Sequence, residues 1–170
     1  MDVLNFELKN WTSEYIDDLI KEAGNIQISR YLSKSFESLS QRANAEAFIE
    51  SCINTSEDKQ CMRAIVKDGK LIGSIGMFIN EDIYSRSGDI AYWISQDYWG
   101  KGIMTQIVKY FCTYLFDKYD IVRIQATPFK DNKGSCAVLE KAGFNCEGVL
   151  KKSLFKNGDY FDSSMYALIK

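Results

Sequence analysis

One segment, Tyr92-Trp93-Ile94-Ser95-Gln96-Asp97-Tyr98-Trp99-Gly100-Lys101-Gly102-Ile103-Met104-Thr105, constrains the fold of this 170-residue chain more than any other. An apolar extended stretch passes through a polar turn and a Gly-Lys-Gly step. It then enters an amphipathic pattern over 101–118, with Ile103, Met104, Ile107, Val108, Phe111 and Leu115 at helical spacing. A further alternating stretch follows at 121–127, so the order predicts a βαβ crossover and a sheet with a parallel pair. It also aims the unpaired N–H groups and positive end of a helix at one point, with no side chain at Gly100 or Gly102 to block approach. Such a point suits a phosphate or pyrophosphate.

The rest of the chain sets that crossover in a mixed α/β architecture. Residues 3–9 alternate and predict a strand. Ser13 is a candidate N-cap, followed by Ile16, Leu19, Ile20 and Ala23 at helical spacing and Gly24 at the stop. A second helix is expected over 40–54, with short helix or loop between. Strands are expected at 61–67 and 70–79 around Asp68-Gly69, and at 89–94. After 121–127 come a short helix over 132–142 stopped by Gly143, a strand from Phe144, and a closing strand over 160–169 after Asn157-Gly158. With no repeat, linker or low-complexity tract, 1–170 reads as a single domain, a length that supports one core.

Composition removes whole classes of chemistry. There is no histidine, which excludes Ser-His-Asp and Cys-His machinery, His-liganded metals and a His base; acid–base work falls to carboxylates, Tyr, Lys, Cys, hydroxyls or water. Five cysteines, odd in number and without a CxxC pair, argue against a zinc site and a disulfide framework, so no metal is expected; Cys112 reads as core. A net charge of −2 gives no basic surface for nucleic acid and weakly favours a cationic partner such as an amine. No apolar run reaches the ~18 residues of a membrane span, and Met1-Asp2-Val3-Leu4-Asn5 lacks a basic start, so a cytoplasmic protein with no membrane partner is expected.

Two nucleotide motifs fail at the Gly-Lys-Gly turn. A P-loop requires GxxxxGK[ST], but Ser95 lies five before Gly100 and Gly102 follows Lys101; a dinucleotide GxGxxG requires glycine where Thr105 stands. A plain helix start using glycines for its turn stays open on these residues alone. Three segments together carry a resemblance: Asp89-Ile90-Ala91-Tyr92-Trp93-Ile94 leading to Tyr98–Thr105; Asn132-Lys133-Gly134-Ser135 leading to Val138-Leu139-Glu140-Lys141-Ala142-Gly143-Phe144; and Glu147-Gly148 leading to Asn157-Gly158-Asp159-Tyr160 and Asp162. Over its last 85 residues or so the chain resembles the GNAT superfamily of acetyl-CoA-dependent N-acetyltransferases, most closely the RimJ/RimL branch. In the superfamily's [Arg/Gln]-x-x-Gly-x-[Gly/Ala] signature, Gly102 takes the central glycine, Trp99 the Arg/Gln position and Met104 the small residue, narrowing the turn.

The resemblance implies a GNAT fold: a mixed, mostly antiparallel sheet of about seven strands flanked by helices, splayed between its fourth and fifth strands. It implies acetyl transfer from acetyl-CoA to a primary amine, on a protein N-terminus or a small molecule, directly in a ternary complex; a non-catalytic acyl-CoA-binding module is the alternative. The pyrophosphate would lie at Trp99, Gly100, Lys101, Gly102, Ile103, Met104 and Thr105. The pantetheine arm would lie along Tyr92, Trp93, Ile94 and Ser95, pairing as an added strand, with the Ile94 amide polarising the thioester carbonyl. Asn132 caps a helix and is a candidate pantetheine contact. Leu139 stands where many members carry a tyrosine acid, which leaves Ser135 as the candidate proton donor or, equally, as helix-start polarity. Asp89 is the candidate base through a water, or a solvated strand-edge acid; Tyr92 and Tyr160 are weaker candidates, and Leu154 occupies a position where some relatives place a carboxylate. Trp11, Tyr31 and Phe129 are candidates to line an acceptor cleft, with core packing as their ordinary role. Relatives are often dimers, so a homodimer is among the expected states; the acceptor itself is not legible.

Overall fold

The computed structural model describes the backbone of Asp2 and Val3 and all of residues 6–170; Met1, Leu4 and Asn5, the last two inside the strand expected over 3–9, lie outside the described residues. The strands are β1 Asp2–Val3, β2 Phe6–Lys9, β3 Gln60–Lys67, β4 Lys70–Ile79, β5 Ser87–Ile94, β6 Arg123–Ala126, β7 Asn145–Lys156 and β8 Asp159–Ile169. The helices are α1 Ile16–Ala23, α2 Ile26–Ser29, α3 Lys34–Ser38, α4 Arg42–Asn54, α5 Ile103–Lys118 and α6 Lys133–Ala142. The sheet order is β1-β2-β3-β4-β5-β6-β8-β7: the seven strands anticipated, plus the two-residue β1.

Local chemistry explains most boundaries. The β3–β4 and β7–β8 hairpins turn on Asp68-Gly69 (φ 49° and 76°) and Asn157-Gly158 (φ 53° and 91°); paired positive φ is the twist-matched two-residue turn that Asx-Gly sequences favour. Asn132 accepts the Ser135 N–H and starts α6, and Gly143 at φ 101° ends it. Helix starts differ from expectation, and α4 begins at Arg42, two residues later than anticipated. Ser13 caps nothing: Ser13–Tyr15 is a tight 3₁₀ turn and α1 begins at Ile16. α5 begins at Ile103 rather than Lys101, because Gly102 sits at φ 75°, outside helical space.

The sheet is mostly antiparallel. β5 meets β4 in that sense, with the Asn80 N–H donating to Ser87 O at one end and the Ser95 N–H to Ile72 O at the other. The exception is the crossover: β5 and β6 are parallel, with Ser87, Gly88 and Asp89 opposite Arg123, Ile124 and Gln125. β5 runs on to Ile94, beyond the last pair of that ladder, Asp89 with Gln125.

Two compact units share the chain. One holds the described residues up to Gly76 together with Tyr92–Trp99, the other Met77–Ala91 and Gly100–Lys170. The core of the first gathers Trp11, Tyr15, Leu19, Ala45, Ile49, Ala64 and Val66, all buried, with Phe36 edge-on to the Trp93 ring at 5.4 Å. In the second, α5 buries Met104, Ile107, Val108, Phe111, Cys112 and Leu115, the face read from the sequence, and packs on α6.

Candidate active site

The glycine turn lies in the second unit. Gly100 and Gly102 have φ 72° and 75°, and a β-carbon built at either would meet nothing within 4 Å. Glycine is therefore required there for backbone conformation, not for packing, and the space it leaves is open. Gly102 precedes Ile103 with no side-chain cap and no acid in the first turn of α5, so the first-turn amides have no side chain closing them off. Met104 does not narrow this turn: its side chain is buried at 6 % exposure, on the core face of α5.

In the first unit, β5 ends in a tightly bonded corner. The Ser95 N–H and hydroxyl both donate to Ile72 O, at 2.7 and 2.9 Å, so both Ser95 donors are spent on β4. A 3₁₀ turn follows, with the Tyr98 N–H on Ser95 O and the Trp99 N–H on Gln96 O, each at 3.0 Å. Trp99 has a role that a signature position does not convey: its indole N–H donates to Ile94 O at 2.8 Å while its ring stays 45 % exposed. The indole ties the residue before the glycines back to the end of β5.

The second unit brings the other named residues into two groups. The Asn132 Oδ1 takes the Ser135 N–H at 3.1 Å, and its own backbone N–H donates to Phe129 O at 2.9 Å. Ser135 is half-buried in the first turn of α6, with its hydroxyl three residues beyond the Asn132 cap. Leu139, in the tyrosine position, is fully buried.

Asp89 is not a solvated edge acid. Its Oδ1 accepts from Gln125 Nε2 at 2.9 Å and its Oδ2 from Asn80 Nδ2 at 2.8 Å. Gln125 is itself fixed by Arg123 Nε at 2.8 Å, and Arg123 forms a two-pronged pair with Glu147 at 2.9 and 2.6 Å. The Arg123 fork holds the Glu147 carboxyl below its ordinary range. Asp89 thus ends a row of oriented groups crossing from β7 to β5. Sequence reasoning missed Asn80, Gln125, Arg123 and Glu147 as its supports, because Asn80 and Gln125 lie 9 and 36 residues from Asp89, and Glu147 another 24 from Arg123, separations that carry no local periodicity. Among the described residues no three or more His, Cys, Asp or Glu cluster to hold a metal ion, and no helix is long and apolar enough to cross a membrane.

With this geometry in view, the comparisons are specific. The profile of the acetyltransferase (GNAT) domain family matches residues 5–145. The chain is 35% identical over 106 residues to the putative ribosomal N-acetyltransferase YdaF of Bacillus subtilis, a match spanning 62% of this chain but only 57% of that protein. It is 28% identical over 167 residues to the uncharacterized N-acetyltransferase YoaA of Bacillus subtilis, spanning 96% of this chain and 92% of that one. RimL, a ribosomal L7/L12 alpha-N-protein acetyltransferase solved in complex with coenzyme A, shares the fold with TM-score 0.88 at 23% identity, covering 98% of this chain and 95% of that one. The open glycine turn, the parallel β5–β6 pair in a mostly antiparallel sheet and the profile match over residues 5–145 converge: this chain belongs to the GNAT acetyltransferase family.

Proposed function

We propose that this protein transfers an acetyl group from acetyl-CoA to a primary amine, on a protein N-terminus or a small molecule, by direct attack in a ternary complex. The observation that carries the reading is the pair of open, left-handed glycines before the uncapped start of α5. Amides from Gly100 to Thr105, with Lys101 beside them, hold the pyrophosphate. Tyr92, Trp93 and Ile94 offer a strand edge to the pantetheine arm, with Trp99 bracing the corner; Ser95 serves as its anchor on β4, since both its donors are committed. Relatives named as N-acetyltransferases, and the coenzyme A bound by RimL, support the same donor.

An attacking amine must lose a proton, and the departing thiolate gains from one. Ser135 donates to the thiolate, held by the Asn132 turn. Asp89 takes the amine proton through a water, its carboxylate keeping acceptor capacity beyond the two amide bonds. The activity belongs in the cytoplasm, on a monomer or homodimer, and needs no metal and no nucleic acid.

The test is titration with CoA, then acetyl-CoA thiol release across a panel of N-terminal serine and alanine peptides, polyamines and amino acids. Wild type should bind CoA and release thiol with at least one acceptor. Gly102→Asp should lose about two to three orders of magnitude in CoA affinity, since a like charge about 4 Å from a phosphate costs about 4 kcal/mol at an effective dielectric of 20. Unchanged affinity would misplace the pyrophosphate. Tight CoA binding with no thiol release would leave a binding module in place of an enzyme.

A further inference from the structure

β8 holds two segments of the second unit that the sequence does not connect. Beyond Ala126, where β6 ends, the chain stays against β8. The Lys130 N–H donates to Asp162 O and the Ser164 N–H to Pro128 O, both at 3.0 Å, while Phe129 bridges to Ser163 and its ring lies tilted against that of Phe161, with centroids 5.4 Å apart. On the opposite side β7 is irregular: Leu150 pairs with Ser163 and Leu154 with Phe161, so extra residues loop out across from Asp162. Lys152, in that bulge, has φ 51°, a conformation costly for a side-chain-bearing residue unless its surroundings hold it.

The Asp162 side chain supplies that hold. Oδ1 accepts the Lys152 N–H at 3.0 Å; Oδ2 accepts from Lys151 Nζ at 3.1 Å and lies 3.9 Å from Lys130 Nζ. One carboxylate therefore grips the bulge with its first oxygen and both segments with its second. Beyond Lys130 the next two links are Asn132 N–H to Phe129 O and Ser135 N–H to Asn132 Oδ1. We infer that Asp162 is a positioning residue: by pinning the β7 bulge and the 128–130 loop to β8, it fixes the first turn of α6 and with it the Ser135 hydroxyl. The inference rests on the role given to Ser135 above.

Variants at Asp162 and Ser135, read by amide exchange and by kinetics, test it. In Asp162→Ala, amide hydrogen exchange at Ser135 should rise at least about tenfold. The turnover of acetyl-CoA with the best panel acceptor should fall about tenfold, while the KM for acetyl-CoA stays within about twofold. Asp162→Asn keeps an acceptor for the Lys152 N–H but puts an NH₂ where Oδ2 meets Lys151 and Lys130, so it should recover part of both. In a Ser135→Ala background the Asp162→Ala loss should largely disappear, because the two act through one group. Unchanged Ser135 exchange, an undiminished loss in the Ser135→Ala background, or Asp162→Asn as damaged as Asp162→Ala would overturn the inference. Wild-type protein that binds CoA but acetylates nothing would remove the Ser135 role, and the inference with it, before any Asp162 variant is made.

Discussion

Gly73 tests how β4 supports the end of β5. A β-carbon at this position would lie 2.5 Å from Trp93 O and 3.1 Å from both Ile94 Cα and Ile65 Cδ1. Ordinary carbon–oxygen approach stops near 3.3 Å, so Gly73→Ala is about 0.8 Å too close to a backbone carbonyl that cannot rotate away. Overpacking of this kind costs about 1–3 kcal/mol. Alanine returns about 0.5–1 kcal/mol through the lower entropy of the unfolded chain. The midpoints of these ranges leave a net loss of about 1 kcal/mol, and their upper end about 2.5 kcal/mol, a fall in Tm of roughly 2–10 °C for a chain of this size. Gly76→Ala, three residues on, is the control. Its β-carbon would overlap Met62 Sδ and come within 2.8 Å of Met62 Cε, the far end of a flexible side chain, with the nearest backbone atom at 3.4 Å. The thioether can swing aside, so that variant should stay within about 0.5 kcal/mol of wild type. Thermal and urea melts of both variants give the comparison, and a CoA titration adds the functional side. Gly73→Ala displaces the backbone of Trp93 and Ile94 and should weaken CoA about tenfold, while Gly76→Ala should not. Equal stability of the two variants would refute the close-approach argument. Full CoA affinity in a destabilised Gly73→Ala would separate the strand end from the ligand.

Two further predictions concern titratable groups. Arg123 lowers the Glu147 pKa, first through its side-chain hydrogen bonds, so the pair's contribution to stability is present above the ordinary value of 4.5 and is lost as pH falls through the lower, folded value. The stability gap between wild type and Glu147→Gln, measured by urea melts, should be wider at pH 7 than at pH 3; a constant gap would refute this. Burial pushes the Cys52 and Cys112 thiols up to about 12, while Cys146 is exposed. Maleimide labelling at pH 8 should therefore show a fast phase that Cys146→Ser removes, with Cys112 reacting only as the protein unfolds; a fast Cys112 would contradict the packing of α5.

Much of this protein follows from local pattern. The α5 stripe, both Asx-Gly hairpins, the Gly143 stop and the parallel crossover are visible in the chain, because helical period, positive φ and strand alternation are properties of neighbouring residues. The Gly-Lys-Gly step points to a phosphate for the same reason. The tertiary structure decided what those residues are free to do. It committed both Ser95 donors to Ile72, turned Trp99 into a brace on Ile94 O, took Met104 out of the turn and into the core, and set Asp89 at the end of a row reaching Glu147. It also placed Gly73 against Trp93, and Asp162 against a bulge and a loop 10 and 32 residues away. Hydrogen-bond capacity and close approach are settled by which strands meet. Short-range sequence rules carry no record of partners dozens of residues apart.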